Sequence, residues 1–253
     1  MVKYPSFEFD RRRFLGLAAV GVAASAAAAA PFAAFAQAAR GASLKIATIG
    51  AGREGGALGT LFAKQGHPVM FSSQHPEQLK DLVASAGPTA QAGTVEQAVG
   101  FGDVVLLVVP YTAVEQIGKD YGQALAAKQL VFDVSNPTAR RDGEAIVSLV
   151  AEQGGAGLAT AKRLPGAHLV RGFNAINYLH LTADAHRPGE PVGVPIAGDD
   201  SNAIALATRL IKEIGFEPVL VGGLAMGKYL VPGTPLAGEH TPAEIRQIVA
   251  TLQ

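Results

Sequence analysis

The glycine sequence G-x-G-x-x-G, formed by Gly50, Gly52 and Gly55, lies between two segments of different periodicity. Residues 44–49 are a short apolar run, which predicts a buried strand, and residues 55–65 place apolar side chains at helical spacing. A glycine turn in this context predicts a strand–turn–helix unit whose strand and helix pack closely together.

The same alternation of apolar runs and amphipathic stretches continues along the chain. Further strands are predicted at residues 69–71, 104–109, 130–134, 168–172, 194–197 and 218–221. Further helices are predicted at residues 76–85, 201–214 and 241–252, and a surface loop at the glycines of residues 154–157. Alternating strands and helices predict an α/β chain with a Rossmann-like, doubly wound, mostly parallel sheet and a short C-terminal extension.

Composition excludes several classes of function. Lys plus Arg number 21 and Asp plus Glu number 21, so no excess of positive charge is present to bind nucleic acid. The chain has no cysteine, which excludes disulfides, thiolate catalysis and cysteine-ligated metals. Of the six histidines, His168, His180 and His186 lie closest together in the sequence region after residue 160, but they lack a metal-ligand spacing, so no metal site is predicted.

The N-terminal residues 1–36 have the three parts of an export signal. Three arginines end at Arg13, an Ala-rich apolar run follows, and the small-residue pattern Ala34-Phe35-Ala36 closes the segment. The paired arginines followed by x-Phe-Leu resemble a twin-arginine signal, with Asp10 where Ser or Thr is usual. We predict cleavage after Ala36 and a periplasmic location; the alternative is an uncleaved membrane anchor. The expected organisation is a signal at 1–36, a linker at 37–43, a Rossmann-like domain at 44–238 and a C-terminal helix at 239–253.

The glycine loop predicts a dinucleotide site. Gly50 permits the tight turn, Gly52 allows a pyrophosphate to approach the backbone, and Gly55 allows the helix to pack on the strand. The free N–H groups at the helix N-terminus would bind the phosphates. A purely structural turn is the alternative interpretation.

The end of the second strand favours NADP over NAD. An NAD site usually has an acidic residue there, whereas this chain has Ser72, Ser73, Gln74 and His75. These side chains, with Arg53, are candidates for binding the 2′-phosphate of NADP. NAD stays open as the alternative cofactor, and a solvated turn as the alternative role.

Several further motifs occur in a fixed order after the glycine loop. They are Val108-Val109-Pro110-Tyr111, Asp133-Val134-Ser135-Asn136-Pro137, Gly172-Phe173-Asn174-Ala175-Ile176 and Val194-Pro195-Ile196-Ala197-Gly198-Asp199-Asp200. Together they resemble the deazaflavin-dependent (coenzyme F420-dependent) NADP oxidoreductase family over roughly residues 44–238. Where that family typically has Gly-Ser-Arg after the second strand, this chain has Ser72-Ser73-Gln74.

The resemblance implies a role for each matched segment. Residues Ala51, Gly52, Arg53 and Glu54 would bind pyrophosphate, and Ser73 and Gln74 would lie at the adenosine ribose. On the nicotinamide side, the resemblance implies Val109, Pro110 and Tyr111 beside the ring, Asn136 and Pro137 near the ribose, and Ala175, Ile176 and Asn177 where the ring meets its redox partner. The family also leads us to expect a homodimer that uses the segment after Gly222.

The expected function is hydride transfer between NADP and a flavin, deazaflavin or similar small-molecule acceptor. Such transfer depends mainly on positioning, and the sequence has no evident catalytic triad, so no catalytic residue is assigned. Residues 226–229 are candidates for closing the acceptor pocket. Asp199-Asp200 is predicted to be a helix N-cap rather than a pair of catalytic acids, and Thr241-Pro242-Ala243-Glu244 has the pattern of a capping box. The main alternative is a non-catalytic, exported dinucleotide-binding module. An exported enzyme would need a partner to regenerate its reduced cofactor, and a membrane-bound redox protein is the expected one. A dehydrogenase of hydroxy acids or imines is less favoured, because too little chain follows residue 221 for its helical domain.

Overall fold

The computed structural model describes residues 43–252, and the predicted export signal lies outside the described residues. The described chain forms one eight-stranded sheet. The strands are β1 Ile46–Ile49, β2 Val69–Ser72, β3 Ala90–Gly93, β4 Val104–Leu107, β5 Leu130–Asp133, β6 Leu169–Arg171, β7 Gly193–Gly198 and β8 Glu217–Gly222.

The sheet has the order β3-β2-β1-β4-β5-β6-β7-β8, with β1 in the interior and β4 on the opposite side of it from β2. Strands β1 to β6 are mutually parallel, β7 is antiparallel to β6, and β8 is parallel to β7. The predicted Rossmann-like, mostly parallel sheet is therefore confirmed. The chain order reverses between β1 and β4, and in such sheets ligands bind at this point beyond the carboxyl ends of the strands.

Ten α-helices connect the strands within the described residues. They are α1 Arg53–Lys64, α2 Lys80–Ala86, α3 Val95–Phe101, α4 Val114–Ala126, α5 Ala139–Asp142, α6 Glu144–Glu152, α7 Ala156–Arg163, α8 Tyr178–Asp184, α9 Ser201–Glu213 and α10 Pro242–Thr251. Short 3-10 helices occur at Pro76–Leu79, Tyr111–Ala113 and Leu224–Tyr229.

Two local predictions need correction. The helix predicted at 76–85 is a 3-10 turn followed by α2, with Pro76 at the first position of the turn. The predicted surface loop at 154–157 holds only for its first half: residues 154–155 form a turn, whereas α7 begins at Ala156 and Gly157 is buried in it. A Cβ on Gly157 would lie 2.1 Å from the carbonyl oxygen of Leu224, so this glycine is required by close packing rather than by exposure.

The sheet is buried on both faces. Along β4, Val104 and Leu106 belong to one apolar cluster, whereas Val105 and Leu107 belong to a second cluster on the opposite face. Continuous apolar strands of this kind arise because helices cover both faces of a parallel sheet. Packing on both faces fixes the position of the strands in the core. It therefore also positions the loops that follow the carboxyl ends of the strands.

The C-terminal helix α10 packs on the last two strands. Ile245 of α10 joins Val219 and Val221 of β8 in a third apolar cluster. Thr241 and Glu244 form a capping box at the start of α10, and Asp200 accepts hydrogen bonds from two backbone N–H groups at the start of α9. Both predicted caps are therefore confirmed. Among residues 43–252, no helix has the length and apolar character needed to cross a membrane.

Candidate functional site: a dinucleotide groove at the glycine loop

The glycine loop follows β1 and turns directly into α1. Gly50 has φ +95°, and a Cβ on it would lie 2.2 Å from the Val108 carbonyl oxygen. A Cβ on Gly55 would lie 2.0 Å from the Gly50 carbonyl oxygen, so strand and helix touch here. Gly52, by contrast, has no heavy atom within 4 Å of its Cβ position. It is the N-cap of α1, and no side chain caps that end. The loop thus leaves free N–H groups facing open space, as a phosphate would need.

Two cavities meet at this loop. One has a volume of about 730 Å³ and lies beside the end of β2, and the other has about 310 Å³ and lies beside the ends of β4 and β5. Gly52, Val109 and Pro110 line both. Two cavities that meet at a glycine loop suit a dinucleotide, whose two halves would lie on either side of the pyrophosphate. We call the larger one the adenosine-side cavity and the smaller one the nicotinamide-side cavity.

The adenosine-side cavity is lined by Ser72, Ser73, Gln74 and His75, together with Gly50 and Ala51. The Ser72 hydroxyl is buried and donates to the Thr48 carbonyl at 2.6 Å. This hydrogen bond links two neighbouring strands, so the hydroxyl proton is not directed at the cavity. The Ser73 hydroxyl accepts from the His75 N–H at 3.0 Å and shapes the turn. Gln74 is exposed on this turn.

The charged lining of this cavity differs from the sequence expectation. Arg53 faces away from it, with its guanidinium 5.6 Å from the ring centroid of Tyr178. Asp120 of α4 lines the cavity, and its carboxylate accepts from Gln116 at 2.8 Å. Among the described residues that line this cavity, His75 is therefore the one basic side chain. No sequence signal pointed to Asp120, because it lies far along the chain from the glycine loop.

The nicotinamide-side cavity contains Arg53, Glu54, Gly55, Asn136 and Ile176 from the candidate set. Three other candidates lie elsewhere. Ala175 accepts a backbone hydrogen bond from Gly238 at 2.8 Å, and Asn177 caps α8. Pro137 lines a neighbouring cavity.

Tyr111 also lies outside the groove. It is 2% exposed, and its hydroxyl lies 3.2 Å from Thr160 Oγ1 and 3.3 Å from the Ala156 carbonyl. Burial raises the pKa of this phenol. Tyr111 thus anchors α7 against the sheet instead of lining the cofactor groove.

Beneath the nicotinamide-side cavity lies a buried ion pair that sequence reasoning did not identify. Arg171 Nη1 donates to Asp133 Oδ2 at 2.6 Å, and the two side chains are 0% and 1% exposed. Arg171 Nη2 donates to Asn136 Oδ1 at 3.0 Å, and Asn136 Nδ2 donates to the Asn174 carbonyl at 2.8 Å. The ion pair therefore fixes the orientation of Asn136 at the wall of the cavity.

Two glycines make room for the Arg171 side chain. Cβ atoms on Gly157 and Gly227 would lie 3.2 Å and 2.7 Å from Arg171 Cδ. The Arg171 stem thus passes between α7 and the 3-10 helix Leu224–Tyr229. These glycines are the sequence signal that, read together with Arg171, could have indicated a buried cation.

Phe173 has an unusual backbone conformation at the same cavity. Its φ is +64°, which is uncommon for a bulky residue. Its ring packs between Phe132 and Phe216, with centroids 5.8 Å and 6.1 Å away. The aromatic packing holds the backbone in this conformation, and the turn directs Asn174 and Ile176 to the cavity wall.

Glu54 is the most perturbed carboxyl in the groove. It lies in the first turn of α1, and its Oε1 is buried without a hydrogen-bond partner in the described chain. Burial raises the pKa of Glu54 to about 7, although a hydrogen bond from the Tyr178 N–H acts in the opposite direction. The carboxyl is therefore partly protonated near neutral pH.

This raised pKa predicts a pH-dependent difference in stability between the native chain and Glu54→Gln. The unfolded chain releases the Glu54 proton near pH 4.5, whereas the folded chain holds it to about pH 7. Between these values the folded state binds more protons, so native stability falls as the pH rises through this window. We expect the melting temperature of Glu54→Gln, relative to that of the native chain, to increase from pH 4.5 to pH 7. Above pH 7 the difference between the two melting temperatures should stay constant. A constant difference across this range in thermal melts would contradict the buried, protonated carboxyl.

A third cavity of about 490 Å³ adjoins the nicotinamide-side cavity at Pro232, which lines both. Its wall is mainly apolar and includes Val147, Val150 and Val231, with Arg140 and Lys228 as its cationic residues. Lys228 belongs to the candidate segment 226–229 and does lie beside this cavity. We call it the acceptor-side cavity.

The histidines also show an arrangement that spacing did not predict. His180, Asp184 and Glu239 bring potential metal-ligand atoms within 4.8 Å of one another. His180 Nδ1 lies 2.7 Å from a Glu239 oxygen and 3.6 Å from an Asp184 oxygen. These side chains meet where α8 approaches the loop before α10.

Comparison with known proteins agrees with this geometry. Residues 45–137 match the family described as NADP oxidoreductase, coenzyme F420-dependent. Glycerol-3-phosphate dehydrogenase (NAD(P)+) of Staphylococcus epidermidis is 24% identical over 210 residues, which cover 68% of this chain. The chain spans 62% of the length of that relative.

Solved structures share the fold over most of the chain. A hypothetical protein from Sinorhizobium meliloti has a TM-score of 0.66 and 25% identity, covering 79% of this chain and 96% of its own. A protein described as an F420-dependent NADP reductase, from Arthrobacter sp. FB24, has a TM-score of 0.58 and 18% identity, covering 74% and 88%. Imine reductase from Myxococcus stipitatus, in complex with NADP+, has a TM-score of 0.55 and 18% identity, covering 82% and 62%. Residues 45–137 therefore match the model of the coenzyme F420-dependent NADP oxidoreductase family, which agrees with the resemblance seen in the ordered motifs, and the described chain shares a Rossmann-like fold with these solved structures.

Proposed function

We propose that this protein is an NADP-dependent oxidoreductase that transfers hydride between a nicotinamide dinucleotide and a flavin, deazaflavin or similar acceptor. The observation that carries the proposal is the meeting of the adenosine-side and nicotinamide-side cavities at Gly52, where the backbone is open and the helix is uncapped. The residues present therefore fit a dinucleotide in the orientation that the family implies.

In this proposal the chain binds and orients the two reactants. The N–H groups at the start of α1 would hold the pyrophosphate, and Asn136, fixed by Arg171, would hold the ribose on the nicotinamide side. The bound nicotinamide supplies or receives the hydride. Apolar Val109, Pro110 and Ile176 would exclude water from that end of the groove.

The acceptor-side cavity favours an oxidoreductase over a non-catalytic binding module. A module needs no space beside the nicotinamide ring, whereas an oxidoreductase needs an apolar pocket there. The cavity is open and mainly apolar, and it shares the lining residue Pro232 with the nicotinamide-side cavity. The test is turnover: purified chain beginning at Gln37 is mixed with NADPH and with FMN, FAD or coenzyme F420 under anaerobic conditions. Oxidation of NADPH by one acceptor supports the oxidoreductase, and binding of NADPH without turnover of any acceptor supports the module.

Cofactor choice is testable at Gln74. Replacing Gln74 with Arg should tighten NADPH binding by at least about tenfold and leave NADH binding nearly unchanged, because a charge-assisted hydrogen bond to the 2′-phosphate contributes about 1.5–3 kcal/mol. The measurement is a fluorescence titration with each nucleotide. Gln78→Arg is the matched control, because Gln78 is exposed one turn away and does not line the cavity. Equal tightening of NADPH and NADH would place the 2′-phosphate elsewhere.

Location and partners follow as further proposals. We propose export through the twin-arginine route with the nucleotide already bound, and regeneration of the reduced cofactor by a membrane-bound redox partner. We propose further that the chain forms a homodimer through the segment after Gly222. Fractionation of cells that express the full chain tests the first proposal: protein found in the cytoplasm alone would contradict it.

A further inference from the structure

The carboxyl group of Glu54 has an unusual environment for an acidic side chain. It lies in the first turn of α1 and lines the nicotinamide-side cavity together with Asn136, Asn174 and Ile176. Its Oε1 is buried and has no hydrogen-bond partner among the described residues. A buried carboxyl oxygen without a partner normally costs stability, so such a group is a candidate for a functional role.

The charged groups around Glu54 are engaged with other partners. Arg53 Nη1 lies 3.5 Å from the Tyr178 hydroxyl, and its guanidinium packs over the Tyr178 ring. Arg141 lines the same cavity but donates to Asp142 and to the Asn136 carbonyl. Below the cavity, the opposite charges of Asp133 and Arg171 compensate each other. No cation among these groups is paired with Glu54, so its protonation state is open to control by a charge that enters the cavity.

The nicotinamide ring brings such a charge. The oxidised ring is a cation, whereas the reduced ring is neutral. A cation within a few ångström of a carboxyl in a cavity favours the ionised form, and its removal favours the protonated form. Because burial already holds the pKa of Glu54 at about 7, a change of ring charge would change its protonation near neutral pH.

We propose that the Glu54 carboxyl carries the proton that accompanies hydride transfer, being protonated beside the reduced nicotinamide ring and ionised beside the oxidised ring. This inference rests on the proposed function. It extends that function, because it assigns a residue and a source for the second hydrogen delivered to the acceptor.

The transfer balances in both directions. In the reducing direction the acceptor receives a hydride, which carries two electrons, from the reduced ring. It also receives a proton from Glu54, as the carboxyl O–H bond breaks and an N–H bond forms on the acceptor. Glu54 is left as a carboxylate beside the cationic ring and regains a proton from solvent when the oxidised nucleotide leaves. In the reverse direction the carboxylate accepts the proton as the acceptor gives up its hydride.

The test counts protons on nucleotide binding, without turnover. Binding of NADP+ and of NADPH to the chain from Gln37 is measured by calorimetry at pH 7 in two buffers of different ionisation enthalpy. We expect NADP+ binding to release up to about one proton more per site than NADPH binding. The titration of the 2′-phosphate is common to both nucleotides and cancels in this difference.

Two variants assign the released proton. In Glu54→Gln the difference in proton release should vanish, and the affinity for NADP+ relative to NADPH should fall about tenfold, because the attraction between carboxylate and ring is lost. Glu96→Gln is the matched control, since Glu96 is also the second residue of its helix but is exposed and lines neither cavity. It should behave as the native chain does.

The outcomes separate this inference from the proposed function. Equal proton counts for the two nucleotides in the native chain, or a difference that persists in Glu54→Gln, would overturn the role of Glu54 while leaving the nucleotide site intact. Failure of both nucleotides to bind would overturn the proposed function, and this inference with it.

Discussion

Replacing Asp133 with asparagine should lower the free energy of unfolding by about 3–5 kcal/mol, because it leaves the Arg171 guanidinium charged and uncompensated in the core. Asp133 and Arg171 are 1% and 0% exposed, so water cannot replace the lost carboxylate without rearrangement of the site. Urea unfolding followed by circular dichroism gives the value. Nucleotide affinity should fall as well, because Arg171 holds Asn136 at the groove.

Two further variants distinguish a buried charge from a simple loss of contact. Glu115→Gln removes one partner of an exposed pair with Lys119 and should leave stability nearly unchanged. In the double variant Asp133→Asn with Arg171→Met, no charge is left buried, so it should be more stable than Asp133→Asn alone. A loss below about 1 kcal/mol for Asp133→Asn would show that the pair is not the buried network described above.

Replacing Gly52 with valine should abolish tight nucleotide binding while leaving the fold intact. The φ of Gly52 is −72° and its ψ is −160°, a conformation that valine adopts, and no heavy atom lies within 4 Å of the Cβ position. Loss of a good N-cap should cost no more than about 1 kcal/mol of stability. The new side chain would occupy the space that the pyrophosphate needs, so affinity should fall at least about 100-fold, or about 2.7 kcal/mol.

Two other glycines, Gly100 and Gly50, provide the controls for this variant. Gly100 also has open space at its Cβ position but lies in α3 away from both cavities, so Gly100→Val should bind nucleotides normally. Gly50→Ala should instead lose stability, because its Cβ would meet the Val108 carbonyl at 2.2 Å and its φ is positive. Normal nucleotide binding by Gly52→Val would mean that the pyrophosphate does not lie at the glycine loop.

The sequence predicted the parts of the fold that local patterns encode. Apolar runs located seven of the eight described strands, and the capping residues Asp200 and Thr241 located two helix starts. Strand β3 was missed, because Ala-Gln-Ala-Gly has weak strand propensity and lies at the exposed edge of the sheet. Helix α4 was missed too, although its apolar residues Val114 and Ile117 have helical spacing.

The candidate site was predicted best where chemistry depends on backbone and least where it depends on distant side chains. The glycine loop could be found because the glycines that its conformation requires lie close together in the sequence. Arg171 could not be paired with Asp133, which is 38 residues away, until the register of β5 and β6 was known. Tyr111 was expected at the groove because the family resemblance implied it there, but the turn after Pro110 directs its side chain into the core.

Titration of the chain from Gln37 with NADPH and NADH, followed by nicotinamide fluorescence, tests the central claim most directly. We predict saturable binding of both nucleotides, tighter for NADPH, and loss of both in Gly52→Val. Failure of the native chain to bind either nucleotide, with its fold intact by circular dichroism, would contradict the assignment of the groove as a dinucleotide site.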